Sequence, residues 1–297
     1  MALVDSRTLL DLPAKQEFIL TLTCAERPGI VHDVSGFLVA HDCDILENQQ
    51  FGDRQSGRFF MRVHFQCHGA GIDVELLRAR FGHIAERSEM EWALHGADDR
   101  PRLLLMVSRL GHCLNDLLFR WSTGTLGAEI TGVVSNHPDF AELAAAYKLP
   151  FHHLPVTPES KAAQEARLLE IVADHQVDLV VLARYMQILS PQACERLAGR
   201  AVNIHHSFLP SFAGARPYHQ AYERGVKLIG ATAHFVTPDL DEGPIIEQEV
   251  VRVDHARTPA QLTAMGREVE CLALAHAVQA IAERRVLLNG NRTVVFR

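Results

Sequence analysis

From Pro101 onward, short apolar runs alternate with helix-length amphipathic segments, and this alternation restricts the possible folds more than any other feature of the chain. Arg102 to Val107, Glu129 to Ser135 and Val177 to Ala183 are strand-like. Cys113 to Ser122, Asp139 to Tyr147 and Glu159 to His175 lie between them with helical spacing. Strands that are apolar on both faces need cover on both faces, which parallel strands joined by crossover helices provide. The pattern therefore predicts an α/β chain with a mostly parallel, doubly wound sheet. Further strands are expected at Ala201 to His205, Ile229 to Val236 and Ile245 to Val253, with a last helix from about Pro259 to Glu283. Ligands of such sheets collect beyond the carboxyl ends of the strands.

The first third of the chain follows a different rhythm. Phe18 to Thr23 is strand-like, Gly29 to His41 is helical, Asp44 to Phe51 and Arg58 to Phe65 are strands, Val74 to Ala85 is helical, and a short strand falls at Met90 to Leu94. This is a βαββαβ order. The polar, turn-prone stretch from Gly96 to Pro101 follows it. The expected organisation is a domain over residues 1–96 (core about 16–95), a linker at 97–101 and a second domain over 102–297.

A net charge of -7 and a pI near 6.2 give no general attraction to nucleic acid or to membranes, so small molecules are the expected partners. No apolar run reaches membrane-spanning length, and the start, Met1 to Asp5, lacks a basic segment leading into an apolar one. A cytoplasmic protein is expected. The six cysteines, Cys24, Cys43, Cys67, Cys113, Cys194 and Cys271, have neither paired CxxC spacing nor the density of a disulfide scaffold, and they read as reduced packing residues.

Chemistry concentrates in Val202-Asn203-Ile204-His205-His206-Ser207-Phe208-Leu209-Pro210 and, some thirty residues on, Leu240-Asp241-Glu242-Gly243-Pro244. Alternation along a strand points Asn203 and His205 the same way, while Val202 and Ile204 face the opposite layer. An amide donor, an imidazole and a turn-borne carboxylate are the groups that acyl transfer from a formamide requires: an oxyanion stabiliser, a proton donor and a base. If water attacks, no protein nucleophile is needed.

Asn-x-His-x-Ser-x-Leu-Pro with a later Leu-Asp-x-Gly-Pro resembles the folate-dependent formyltransferase superfamily. His206, where the transferases usually carry Pro, the run from Gly214 to Ala221, and an added amino-terminal domain are similar to its formyltetrahydrofolate deformylase branch. The resemblance implies a formyltransferase-like second domain and hydrolysis of 10-formyltetrahydrofolate to tetrahydrofolate and formate, with Asn203, His205 and Asp241 catalytic. Folate is then the substrate, and no cofactor or metal is implied. The loop Leu182 to Ser190 resembles the pterin-binding loop, giving Met186, Gln187, Ile188 and Leu189 as folate contacts together with Thr237, Pro238 and Asp239. His206, His234 and Gly243 are expected to support the site. Gln187 stands where the purine-pathway transferase has a basic residue, and Ser108 to Asn115 keeps only one glycine of the loop with which that transferase cradles its acceptor's phosphate.

Cys24-Ala25-Glu26-Arg27-Pro28-Gly29-Ile30-Val31 resembles the strand-to-helix turn of ACT domains, with Glu26 in place of the usual Asp. This resemblance implies an ACT-like fold for the first domain. It makes Arg27, Pro28, Gly29, Ile30 and Val31, with Asn48 on the next strand, candidates for binding an amino-acid effector, methionine or glycine, and it implies a homo-oligomer. Three other readings compete: formyl transfer to a small amine acceptor, a non-catalytic folate and amino-acid sensor, and metal-assisted hydrolysis using ligands among His205, His206, His219, His234 and Asp241. The last has no compact ligand motif despite seventeen histidines.

Overall fold

The computed structural model describes residues 16–68, 72–209 and 217–297. The chain divides into two compact units between Asp99 and Arg100. The first runs β1 (Gln16–Ala25), α1 (Ile30–Ala40), β2 (Cys43–Asp53), β3 (Arg58–Cys67), α2 (Val74–Arg87) and β4 (Glu91–Gly96). Its sheet has the order β2-β3-β1-β4, with every neighbouring pair antiparallel. Alternate residues Phe18, Leu20 and Leu22 of β1 pack with Ile30, Val34, Phe37 and Leu38 of α1 and Leu77 and Phe81 of α2 into one core. Asp73 caps α2 by accepting from the Glu75 amide at 2.9 Å.

One expectation is overturned here. Cys43 and Cys67 are not reduced but joined by a disulfide. They are directly opposed in the β2/β3 register, with Cα atoms 4.0 Å apart, although 24 positions separate them in the chain. Strand pairing creates that proximity, and linear cysteine spacing cannot reveal it. Cys24, Cys113, Cys194 and Cys271 are free, the first three buried.

The second unit continues with β5 (Arg102–Val107), α3 (His112–Ser122), β6 (Glu129–Ser135), α4 (Ala141–Ala146), β7 (Phe151–His153), α5 (Lys161–Asp174), β8 (Leu179–Leu182), α6 (Pro191–Arg196) and β9 (Ala201–His205). It ends with α7 (Pro217–Arg224), β10 (Leu228–Phe235), β11 (Ile245–Arg252), α8 (Pro259–Ala282) and the hairpin β12 (Val286–Asn289) with β13 (Arg292–Val295). The seven-stranded sheet has the order β11-β10-β9-β8-β5-β6-β7. It is parallel from β9 to β7, while β10 and β11 are antiparallel.

Both faces of the sheet are covered, as the apolar strands require. Leu103, Leu105, Val181, Val202 and Ile204 face α3 and α8, whereas Leu104, Met106, Val180, Leu182 and Ala201 face α5 and α6. The long helix α8 starts on a capping box between Thr258 and Gln261, with Pro259 in its first turn. Among the described residues, no helix is long and apolar enough to cross a membrane.

Candidate active site

Parity places the polar residues of β9. With Val202 and Ile204 turned toward α3 and α8, Asn203 and His205 open on the other face at the carboxyl end of the strand. The antiparallel neighbour β10 sets His234 directly opposite Asn203, whose Nδ2 lies 3.3 Å from His234 Nε2. His234 Nδ1 is 2.8 Å from the Phe235 carbonyl oxygen, an acceptor only, so Nδ1 carries a proton.

Asp241 arrives from the turn between β10 and β11. It adopts a left-handed backbone (φ 58), which Asp tolerates better than most residues. Its Oδ2 lies 3.1 Å from His205 Nδ1 and its Oδ1 3.6 Å from His234 Nε2. Hydrogen bonds from His205 and then His234 hold its carboxyl well below the usual carboxylate range, against the opposing effect of partial burial. The same turn depends on Gly243: a Cβ there would lie 1.7 Å from the Phe235 carbonyl oxygen.

A cleft of about 360 Å³ ends on these groups. Of the expected folate contacts, Met186, Gln187, Ile188, Leu189, Thr237 and Pro238 line it. Asp239 does not. It stays exposed beside the cleft, its carbonyl accepting from the Thr237 hydroxyl at 2.9 Å. Met186, Ile188 and Leu240 are 55%, 58% and 60% exposed, an apolar rim characteristic of a surface that meets a ligand. The loop is held from beneath by Ser108, which accepts from the Met186 amide at 2.9 Å and donates to Asn136 Oδ1 at 2.7 Å.

Several neighbours were missing from the sequence reading. Ser207 Oγ stands 2.7 Å from His205 Nε2, so both ring nitrogens of His205 have partners. Arg184 and Tyr185 line the cleft, and burial, followed by the Glu165 charge, pushes the Tyr185 hydroxyl up to about 12. Behind the cleft, Glu270 of α8 takes His112 Nε2 at 2.7 Å and the Tyr218 hydroxyl at 2.6 Å. A buried carboxylate far along the chain gave one signal: Glu270 interrupts an otherwise apolar helix face.

His112, Cys113 and Glu270 offer ligand atoms within 4.8 Å of one another. The cluster suits a cation poorly. Arg184 Nε already stands 3.3 Å from the carboxylate, and a hydrogen bond with Cys271 together with burial keeps Cys113 a thiol. Of the other candidates, His206 borders the cleft, while His219 on α7 is exposed. The run from Gly214 to Arg216 lies outside the described residues.

The effector candidates belong to the first unit. Arg27 pairs with Asp33 at 3.0 Å and contacts Ser88, Gly29 takes φ 95 at the start of α1, and Ile30 is buried in the core. Val31 is partly exposed, and Asn48 lies on the exposed edge strand β2. Among the described residues, a surface groove of this unit runs along His32, Phe37, Arg80 and Arg87.

Residues 101–278 match the formyl transferase family. A formyltetrahydrofolate deformylase from Corynebacterium sp. is 51% identical over 94% of this chain and 98% of its own length. The chain belongs to the formyltetrahydrofolate deformylase family. A deformylase structure from Burkholderia mallei is 58% identical, with TM-score 0.91, and covers 95% of this chain and 100% of that one. A glycinamide ribonucleotide transformylase from Symbiobacterium toebii, 32% identical with TM-score 0.62, covers 95% of its own length but 67% of this chain. Similarity to the deformylase thus extends across nearly the whole chain, whereas similarity to the transformylase stops at two thirds.

Proposed function

We propose that this chain hydrolyses 10-formyltetrahydrofolate to tetrahydrofolate and formate at the end of the cleft where Asn203, His205 and Asp241 converge. The observation that carries the reading is the 3.1 Å contact between the Asp241 carboxylate and His205 Nδ1 closing an apolar, loop-lined cleft in a chain of the deformylase family. The loop from Tyr185 to Leu189 takes the pterin, with backbone groups on its polar edge and Met186, Ile188 and Leu189 on its faces. The formyl oxygen takes over the place of Ser207 at His205 Nε2, and the Asn203 amide supplies a second donor as the oxygen gains charge.

Asp241 orients the attacking water and keeps the His205 ring in place. A carboxylate held this low is a weak base toward bulk water. The attacking oxygen becomes strongly acidic as it bonds to carbon, and its proton passes through Asp241 to N10 as the C–N bond breaks. One C–O bond forms and one C–N bond breaks, and the formic acid released loses its proton to solvent. Release of formate by the purified chain tests the reading; tight folate binding without turnover across pH would replace it with the sensor.

For the first unit, the βαββαβ order and the sheet order β2-β3-β1-β4 support an ACT-like domain with a role in control or assembly of a homo-oligomer, methionine and glycine being the effectors to test. Replacing Gly29 with Trp should alter amino-acid response or subunit association. A variant with both unchanged would exclude this segment from either role.

A further inference from the structure

Behind His205, on the α3 and α8 side of the sheet, a chain of polar side chains runs from the helices to the site. Glu270 is 1% exposed. Burial alone would raise its carboxyl, but the His112 hydrogen bond, the Arg184 charge and the Tyr218 hydroxyl outweigh that effect and hold it below its ordinary value. Arg184 follows β8 with a left-handed backbone (φ 67), an uncommon conformation for a long side chain, and it is itself 8% exposed. Its Nε lies within ion-pair distance of Glu270 Oε2, at 3.3 Å, and its Nη1 lies 2.8 Å from His206 Nδ1. The His206 ring stacks on that of His205, with centroids 4.9 Å apart and planes within 19°.

The chemistry of the donors fixes the protons. A guanidinium only donates, so His206 Nδ1 presents its lone pair and the ring proton sits on Nε2. A second proton on His206 would set a cation against Arg184 at 2.8 Å and against any charge on the stacked His205 ring. Among the described residues, the charged and titratable groups with recorded contacts to the ring or to its partners are Arg184, Glu270 beyond it with His112 and Tyr218, and on the other side His205 backed by Asp241.

We propose that Arg184, anchored by Glu270, is a positioning residue that locks His206 as a neutral, Nε2-protonated ring against His205, so that a proton taken up by the stacked pair resides on the ring held by Asp241. The proposal rests on the hydrolase reading for its kinetic consequence, though not for the state of the ring. It also gives a physical reason for a second histidine beside His205: a flat neutral surface that neither competes for the proton nor admits water.

Histidine ring-15N spectra of the full chain from pH 5.5 to 8, with His206→Gln to assign the signal, test the ring directly. Wild-type His206 should remain neutral with its proton on Nε2 throughout. In Arg184→Gln it should become protonated toward pH 6, and the acid limb of kcat/KM for formate release should move up by about one pH unit, a tenfold loss at a fixed pH on that limb. Arg184→Lys, which keeps the charge, should restore the neutral ring in part. A wild-type His206 that protonates in this range, or that carries its proton on Nδ1, overturns the proposal without requiring any variant to fold. So does a folded Arg184→Gln with unchanged ring state and pH profile. If the wild type releases no formate, the hydrolase reading fails and the ring spectra alone decide this one.

Discussion

Asp241 holds two imidazoles and a left-handed turn in register, and replacing it with Asn removes the charge while nearly preserving the shape. Formate release by Asp241→Asn should fall by about two to four orders of magnitude, with folate binding much less affected. Single-turnover rates beside equilibrium folate titration check this, and near-wild-type turnover would remove the carboxylate from the mechanism. Because Asp241 and His205 are in direct contact and act as one unit, the double variant with His205→Ala should lose far less than the product of the single losses. The depressed Asp241 carboxyl stays ionised as pH falls through the ordinary carboxylate range. Loss of activity at pH 5 therefore reports another group.

Between elements, two contacts decide whether the site assembles. The turn carrying Asp241 packs Gly243 on the backbone of β10, so Gly243→Ala forces carbonyl and methyl apart and should destabilise the fold by about 1–3 kcal/mol or more. Urea unfolding measures this, and a variant of unchanged stability would mean that the turn sits farther from β10. Glu270 ties α8 to α3 and α7 through His112 and Tyr218. Its folded-state value is depressed, so its contribution is fully present above the unfolded value, about 4.3, and is lost as pH falls through the lower folded one. The stability deficit of Glu270→Gln should hold steady at neutral pH and narrow only below about pH 4. A deficit that vanishes already at pH 6 contradicts this sign.

For the whole molecule, the question is which acceptor takes the formyl group. The start of α3 turns His112 toward an internal carboxylate, and bulky Leu110 and His112 flank its single glycine. An anionic acceptor would have to compete with Glu270 for the same donor. Formate release should therefore proceed at the same rate with or without glycinamide ribonucleotide. Stoichiometric formylated ribonucleotide in place of formate would make the chain a transferase.

Most of the second unit was legible because its strands are continuous apolar runs and its helices are periodic, so β5, β6 and β9 fall on the expected residues. The same period-two rule paired Asn203 with His205 before any coordinates. Short elements escaped: α6, α7 and the β12/β13 hairpin are too brief or too polar to show a period. What a linear pattern cannot encode is proximity across elements. The Cys43 to Cys67 bond and the line from Glu270 through Arg184 to His206 each join residues that share no local motif. Local propensity and residue chemistry determined most of the longer elements, the sheet class and the candidate trio Asn203, His205 and Asp241. Strand register, helix packing and the left-handed turn at Asp241 decided which proton donors meet, because hydrogen bonds and ion pairs depend on distances of a few ångströms that only the assembled chain sets.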